Sequence, residues 1–103
     1  MKSAGVTLLE NASATGDMHR WPGGRGLFAC VGTFGTEKVT LEFLGPDGST
    51  WISVPDVGGT KIELSAAGSE IFELPPCVIR AAVSSGGETP PSGLYAAASR
   101  IPV

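Results

Sequence analysis

The chain has 103 residues, of which 42% are hydrophobic and 17% are charged, and its formal net charge is -3 at pH 7. This length predicts a single domain with its own core, and the balance of hydrophobic and charged residues excludes an intrinsically disordered chain. The seven basic residues form no basic run, and no segment approaches the ~20 apolar residues of a membrane-spanning helix, so we expect no nucleic acid and no membrane as partner.

The start of the chain differs in composition from the remainder. We predict that residues 1–19 form a flexible N-terminal segment and that residues 20–103 form the folded domain. Within the segment, residues 6–10 contain enough apolar side chains for a possible edge strand. Residues 11–17 are polar and have little structure of their own, so we expect them to act as an arm that becomes ordered on a partner.

Two strands of different character are predicted next. Residues 26–34 form a mostly apolar run, which predicts a central strand buried on both faces. Residues 38–44 instead alternate with a period of two, which predicts a strand with Val39, Leu41 and Phe43 on its core side.

A hairpin is predicted after this strand. Residues 45–48 read Gly-Pro-Asp-Gly, in which proline presets φ and the other residues tolerate turn geometry. Residues 49–54 then form the return strand. Because Ile52 and Val54 are the better core pair, we expect Trp51 to face outward.

The second half of the chain continues the pattern of short strands. They are predicted at residues 61–64, 70–74, 77–83 and 93–101, with an exposed loop at 84–92. The alanines of the last segment also favour a helix, but its shortness and the proline that follows favour a closing strand. Seven to eight short, mainly antiparallel strands with turns between them predict an all-β, single-domain β-sandwich or small barrel.

The sequence offers no assembled catalytic or metal-binding chemistry. His19 is the single histidine, and Asp17 lies two residues before it. A metal site needs three or four ligands, and a catalytic triad needs a third member and an oxyanion hole. We therefore predict a protein that is not an enzyme, with no catalytic residues, no metal and no cofactor.

Cys30 and Cys77 are either two buried thiols or a bridge between sheets, and both interpretations stay open.

Four residues are candidates for contact with a partner, namely Trp51, Trp21, Tyr95 and Arg25. Trp51 and Tyr95 carry aromatic faces suited to a subunit contact or a sugar platform, although core packing also accounts for them. Trp21 and Arg25 belong to the glycine-rich residues 21–26. These form either an anion-binding nest or a wide turn with Trp21 folded against the edge of the sandwich.

Several turn and strand-start motifs together resemble those of small virion proteins of tailed bacteriophages. They are Trp-Pro-Gly-Gly-Arg-Gly at residues 21–26, Gly-Thr-Phe-Gly at 32–35, Leu-Gly-Pro-Asp-Gly-Ser-Thr-Trp at 44–51, Phe-Glu-Leu-Pro-Pro at 72–76, Ile-Arg-Ala at 79–81 and Ser-Gly-Leu-Tyr-Ala at 92–96. The resemblance extends over about residues 21–102. It rests on structural rather than chemical motifs, so it carries over no catalytic residue.

The resemblance implies a virion structural protein, and first of all a capsid decoration (cement) protein that binds the outer face of the shell. Its partner would be the major capsid protein or another virion protein, and such proteins often form symmetric homo-oligomers. This viral protein would be made in the bacterial host cytoplasm and reside in the virion. The alternative is a carbohydrate- or receptor-binding β-sandwich module of a phage fibre or tail.

Overall fold

The computed structural model describes residues 5–101 as nine β-strands in two antiparallel sheets. In chain order the strands are β1 (Gly5–Ala12), β2 (His19–Trp21), β3 (Gly24–Thr33), β4 (Val39–Leu44), β5 (Trp51–Ser53), β6 (Glu63–Leu64), β7 (Gly68–Leu74), β8 (Cys77–Val83) and β9 (Ser92–Arg100). The first sheet has the order β1-β9-β3-β7. The second has the order β2-β8-β4-β5, and β6 also pairs with β4. The predicted all-β sandwich is therefore confirmed.

The two sheets bury one hydrophobic core between them. The first sheet contributes Phe28 and Phe72 to this core, and the second sheet contributes Leu41 and Ile79, all of them 0% exposed. In β4 the predicted alternation is confirmed, because Val39 and Leu41 both face inward.

Among residues 5–101, no helix has the length and apolar composition needed to cross a membrane.

The last segment is a strand, as predicted, in spite of its alanines. β9 lies between β1 and β3 in the first sheet and is hydrogen-bonded to both. Its inner face buries Leu94, Ala96 and Ala98. Pairing on two sides together with this burial overrides the helix propensity of alanine, which is worth less than 1 kcal/mol per residue.

The turn between β4 and β5 has the predicted chemistry. The Asp47 carboxylate accepts hydrogen bonds from the Thr50 hydroxyl and from the backbone amides of Thr50 and Ser49, at 2.9 and 3.0 Å respectively. These donors favour the ionised carboxyl and hold the pKa of Asp47 well below its usual range. Gly48 follows with a φ of 76°, a left-handed conformation that glycine adopts without strain.

The N-terminal segment is joined to the sandwich more closely than the sequence indicates. β1 is the predicted edge strand, but an irregularity in its pairing places both Leu8 and Leu9 inside, at 3% and 2% exposure. Beyond β1, the Thr15 hydroxyl accepts a hydrogen bond from the Val83 amide at 3.0 Å, and the Gly16 amide donates to the Ala81 carbonyl at 3.1 Å. These residues lie against β8 instead of extending as an arm. Residues 1–4 of the predicted segment lie outside the described range.

The structure corrects three details of the predicted strands. β2, at residues 19–21, is absent from the prediction because three residues are too few to show a period. β3 is central as predicted but is not buried on both faces, since Leu27 and Val31 point outward. Ile52, predicted in the core with Val54, is 39% exposed because it lies opposite the half-buried Phe43 on the short edge strand β5, whereas Val54 is 0% exposed.

Candidate functional site

The outer face of the first sheet is apolar and open. Across its strands Leu27 lies opposite Ile71, Ala29 opposite Ala97, and Val31 opposite Tyr95. We call these six residues the apolar face. Its four large side chains are exposed by 36% at Leu27, 52% at Val31, 38% at Ile71 and 48% at Tyr95. Cross-strand neighbours of this kind lie about 5 Å apart, so the six form one continuous patch.

The patch arises because β3 is apolar on both sides. Phe28 and Cys30 point into the core, whereas Leu27 and Val31, one residue before and after them, point out. Antiparallel sheets that face water commonly carry polar residues at such outer positions. Contiguous exposed apolar surface is unusual on a folded domain, which makes this face the candidate site.

The loop between β5 and β6 extends the apolar face at one border. The Val57 amide donates a hydrogen bond to the Ile71 carbonyl at 3.2 Å on the outer edge of β7, and the Val57 side chain is 61% exposed. Val57 lines a shallow groove of about 420 Å³ together with Leu27 and Ile71. The loop thereby occupies part of the free edge of the first sheet and adds apolar area to its face.

The outer face of the second sheet has the opposite character. Arg80 donates from Nε to Glu42 Oε1 at 2.9 Å across β8 and β4. Glu63 lies 3.8 Å from the Lys38 ammonium and 3.5 Å from that of Lys61. Charged side chains paired in this way are typical of a sheet surface in contact with water.

Trp51 lies on this charged face, outward as predicted and half-buried. The Arg80 guanidinium carbon is 4.2 Å from the centroid of the Trp51 ring, within the range of a cation–π contact. Arg80 therefore covers one face of the indole from within the same chain. That face of the ring is not available to stack on a sugar.

The other three predicted contact residues, Trp21, Tyr95 and Arg25, lie in different environments. Trp21 is 0% exposed, and its ring centroid lies 5.0 Å from that of Phe72, so it belongs to the core and not to a surface. Tyr95 is part of the apolar face. Arg25 lies at one end of that face, where its guanidinium Nη2 is 3.9 Å from Glu73 Oε1. Of the four predicted contact residues, the structure thus brings Tyr95 and Arg25 to one surface.

The glycine-rich residues 21–26 form the connection from β2 into β3. Gly23 and Gly24 have φ values of 96° and 103°, left-handed conformations that favour glycine, where the chain passes from one sheet to the other. Gly26 lies directly under the aromatic pair, since an added Cβ would be 2.6 Å from Trp21 Cη2 and 2.8 Å from Phe72 Cζ. The glycines therefore serve the burial of Trp21 against the sandwich.

The titratable and thiol groups are dispersed over the fold. His19 lies in β2 opposite Ile79, and Asp17 is exposed. In the described part of the chain, no three His, Cys, Asp or Glu side chains are placed to hold a metal ion. Cys30 and Cys77 are free thiols on different sheets, and burial raises the pKa of Cys30 to about 11.

Sequence reasoning missed the apolar face although its signal was present. The apolar run of residues 26–34 was assigned to a strand buried on both faces, whereas the structure covers only one face of β3. A comparison of the chain with known protein families, with curated proteins and with solved structures found no match.

Proposed function

We propose that the chain is a non-enzymatic virion structural protein, namely a capsid decoration (cement) protein of a tailed bacteriophage that binds the outer face of the shell. The observation that carries this proposal is the apolar face, where Leu27, Val31, Ile71 and Tyr95 are exposed together on one sheet. The specific role comes from the resemblance of motifs such as those at residues 21–26 and 44–51 to motifs of small virion proteins.

A protein is the partner that this surface suits best. The face has an aromatic ring at one end and lacks charge at its centre, and aromatic residues without charge are typical of the centre of a protein–protein interface. Repeated copies on a symmetric shell add weak contacts by multivalency, so an interface of moderate size is sufficient. The protein would be synthesised in the bacterial host cytoplasm and would reside in the virion, against the major capsid protein or another virion protein.

A carbohydrate- or receptor-binding module of a phage fibre or tail is the second candidate function. The observation that favours it is a groove of about 370 Å³ beside Tyr95, lined also by Val31 and Glu10. An exposed tyrosine next to a carboxylate provides an apolar face and a polar acceptor, which a sugar requires.

Quantitative mass spectrometry of purified phage particles tests the proposal. Particles from the organism that encodes the chain are banded by density and digested, and copies of this chain are counted relative to the major capsid protein. A fixed ratio of the same order as the capsid protein supports decoration. A few copies per particle favour the fibre or tail module, and absence of the chain from intact particles contradicts a virion role.

A further inference from the structure

We propose that the apolar face binds a protein surface with an apolar centre and a border of lysine and arginine side chains. This proposal rests on the proposed function in one respect, namely that the apolar face is the surface in contact with the shell. It goes further by stating the charge of the partner surface and the side of the chain that points away from it.

The border of the apolar face carries carboxylates at both ends. At one end Glu10 lines the groove of about 370 Å³ that contains Tyr95. At the other end Asp56 and Glu70 line the groove of about 420 Å³ that contains Ile71. The centre of the face between these ends consists of uncharged side chains. The face therefore has the arrangement of a protein interface, in which an apolar centre is surrounded by a polar rim.

Positive charge at this border is already neutralised. Arg25 is the cation on the outer side of the first sheet, and its guanidinium Nη2 lies 3.9 Å from Glu73 Oε1. Arg100 lies opposite Gly26, at a position on the inner side of the sheet. Within residues 5–101, the ion pairs leave the carboxylates of Glu10, Asp56 and Glu70 without a cation. The border of the apolar face is therefore negative.

Charges on the second sheet have the opposite balance. Its outer face carries four of the seven basic residues of the chain and two of the ten acidic residues, namely Arg20, Lys38, Lys61 and Arg80 with Glu42 and Glu63. The other carboxylates lie in loops between strands, at Asp17, Glu37, Asp47 and Glu88. A chain with a net charge of -3 thus has a positive side and, across the sandwich, an apolar side with a negative border.

This distribution of charge selects the partner of the apolar face. Opposite charges across an interface speed association and reject wrong partners, so lysine and arginine side chains around an apolar centre fit this surface. An acidic protein, a nucleic acid or an acidic polysaccharide would place like charges against Glu10 and Glu70. A second copy stacked face to face would also bring two negative borders together. The basic, apolar-centred protein surface is therefore the occupant that the charges favour.

The same charges orient the chain on its partner. With the apolar face in contact, the outer face of the second sheet points away from the partner. Two packed sheets lie about 10 Å apart, which exceeds the screening length of about 8 Å at physiological ionic strength. The cations of the second sheet, such as Lys61, therefore contribute little to the attraction at the border of the apolar face.

Reconstitution of particles tests the charge of the partner surface. Particles of a phage from which the gene for this chain is deleted are mixed with the purified chain, and bound copies are counted over a concentration series. Glu10→Gln and Glu70→Gln should each raise the dissociation constant at least about threefold at about 50 mM salt, and much less at about 500 mM salt. Wild type itself should bind more weakly at the higher salt concentration.

Ser53→Lys is the matched control, because it changes the net charge by the same amount on the outer face of the second sheet, opposite Glu42. It should change the dissociation constant by less than about twofold. Asp56 is left unchanged, since its carboxylate holds its own loop by accepting hydrogen bonds from the amides of Gly58 and Thr60. Thermal melting of each variant shows that the fold is intact.

Arg25→Gln should act in the opposite direction. It leaves the Glu73 carboxylate without its cation and makes the border more negative, so it should lower the dissociation constant at about 50 mM salt. A loss of general packing would instead weaken binding in Arg25→Gln as well as in Glu10→Gln. Weaker binding of Arg25→Gln therefore overturns the proposal.

The outcomes distinguish this proposal from the virion role. If the chain binds the particles but Glu10→Gln and Ser53→Lys have equal effects, or higher salt strengthens binding, the basic partner surface is refuted and the decoration role stands. If the purified chain does not bind the particles at either salt concentration, the decoration role is refuted and this proposal falls with it.

Discussion

The guanidinium of Arg80 lies 4.2 Å from the centre of the Trp51 ring and also donates a 2.9 Å hydrogen bond to Glu42. One side chain thereby joins three neighbouring strands of the second sheet, β8, β4 and β5. The Arg80 and Glu42 side chains are only 29% and 18% exposed, so water screens this contact less than it screens a surface ion pair.

Arg80→Met is expected to lower the free energy of unfolding by about 1–2 kcal/mol, because it removes the cation–π contact and leaves the Glu42 carboxylate without its donor. Lys61→Met is the control, since the Lys61 side chain is 54% exposed in its pair with Glu63 and should change stability by less than about 0.5 kcal/mol. Urea unfolding measures both. Equal losses in the two variants would show that Arg80 contributes no more than a surface charge.

Gly26→Ala should destabilise the fold by about 1–3 kcal/mol. The added Cβ would collide with the rings of Trp21 and Phe72, which are both 0% exposed and packed in the core. Gly5→Ala is the matched variant in β1, where the nearest atom to an added Cβ is Ser99 Oγ at 3.6 Å, and it should be neutral or slightly stabilising. If thermal melting shows the same temperature for both variants, the close packing of Trp21 on Gly26 is refuted.

Leu8→Ala and Leu27→Ala should show how differently the core and the apolar face contribute to stability. Leu8 is 3% exposed, so its truncation should cost about 2–5 kcal/mol of stability. Leu27 is 36% exposed, so its truncation should cost less than about 1 kcal/mol. Urea unfolding is measured on both variants. A negligible loss of stability in Leu8→Ala would mean that β1 contributes little to the fold, as expected of part of a flexible N-terminal segment.

The turn at Asp47 should contribute a pH-dependent part of the stability. The pKa of this carboxyl is lowered by hydrogen bonds from Thr50 and Ser49, so its ionised form stabilises the fold above the unfolded pKa of about 3.9. The contribution is lost as the pH falls through the lower folded value. The melting temperature of wild type should therefore be higher than that of Asp47→Asn near neutral pH. The difference between the two melting temperatures should shrink below about pH 4. A difference that stays constant into strong acid would contradict this role.

The hairpin and the alternating strand were predictable because their signals are local. Residues 45–48 specify a turn by their own side chains, and the alternation of residues 38–44 reports directly which side of β4 faces the core. The burial of Trp21 was not predictable in this way. It depends on a contact with Phe72, which lies 51 positions further along the chain, and on the absence of a side chain at Gly26.

The apolar face was only half predictable. The run that contains Leu27 and Val31 showed that β3 is apolar on both sides, but sequence alone assigned both sides to the interior. Only the arrangement of the strands shows that no layer within residues 5–101 covers these two side chains. The prediction that Ile52 is buried in the core was wrong for a related reason. The alternation along β5 is correct, but β5 is an edge strand and leaves the Ile52 side chain exposed.

The reactivity of Tyr95 tests most directly the claim that the apolar face is an assembly surface. Tyr95 is the single tyrosine of the chain and is 48% exposed, so its nitration by tetranitromethane reports on this face alone. We predict that nitration of Tyr95 is several-fold slower in phage particles that carry the chain than in the purified free chain. Equal nitration rates on particles and in the free chain would contradict the claim.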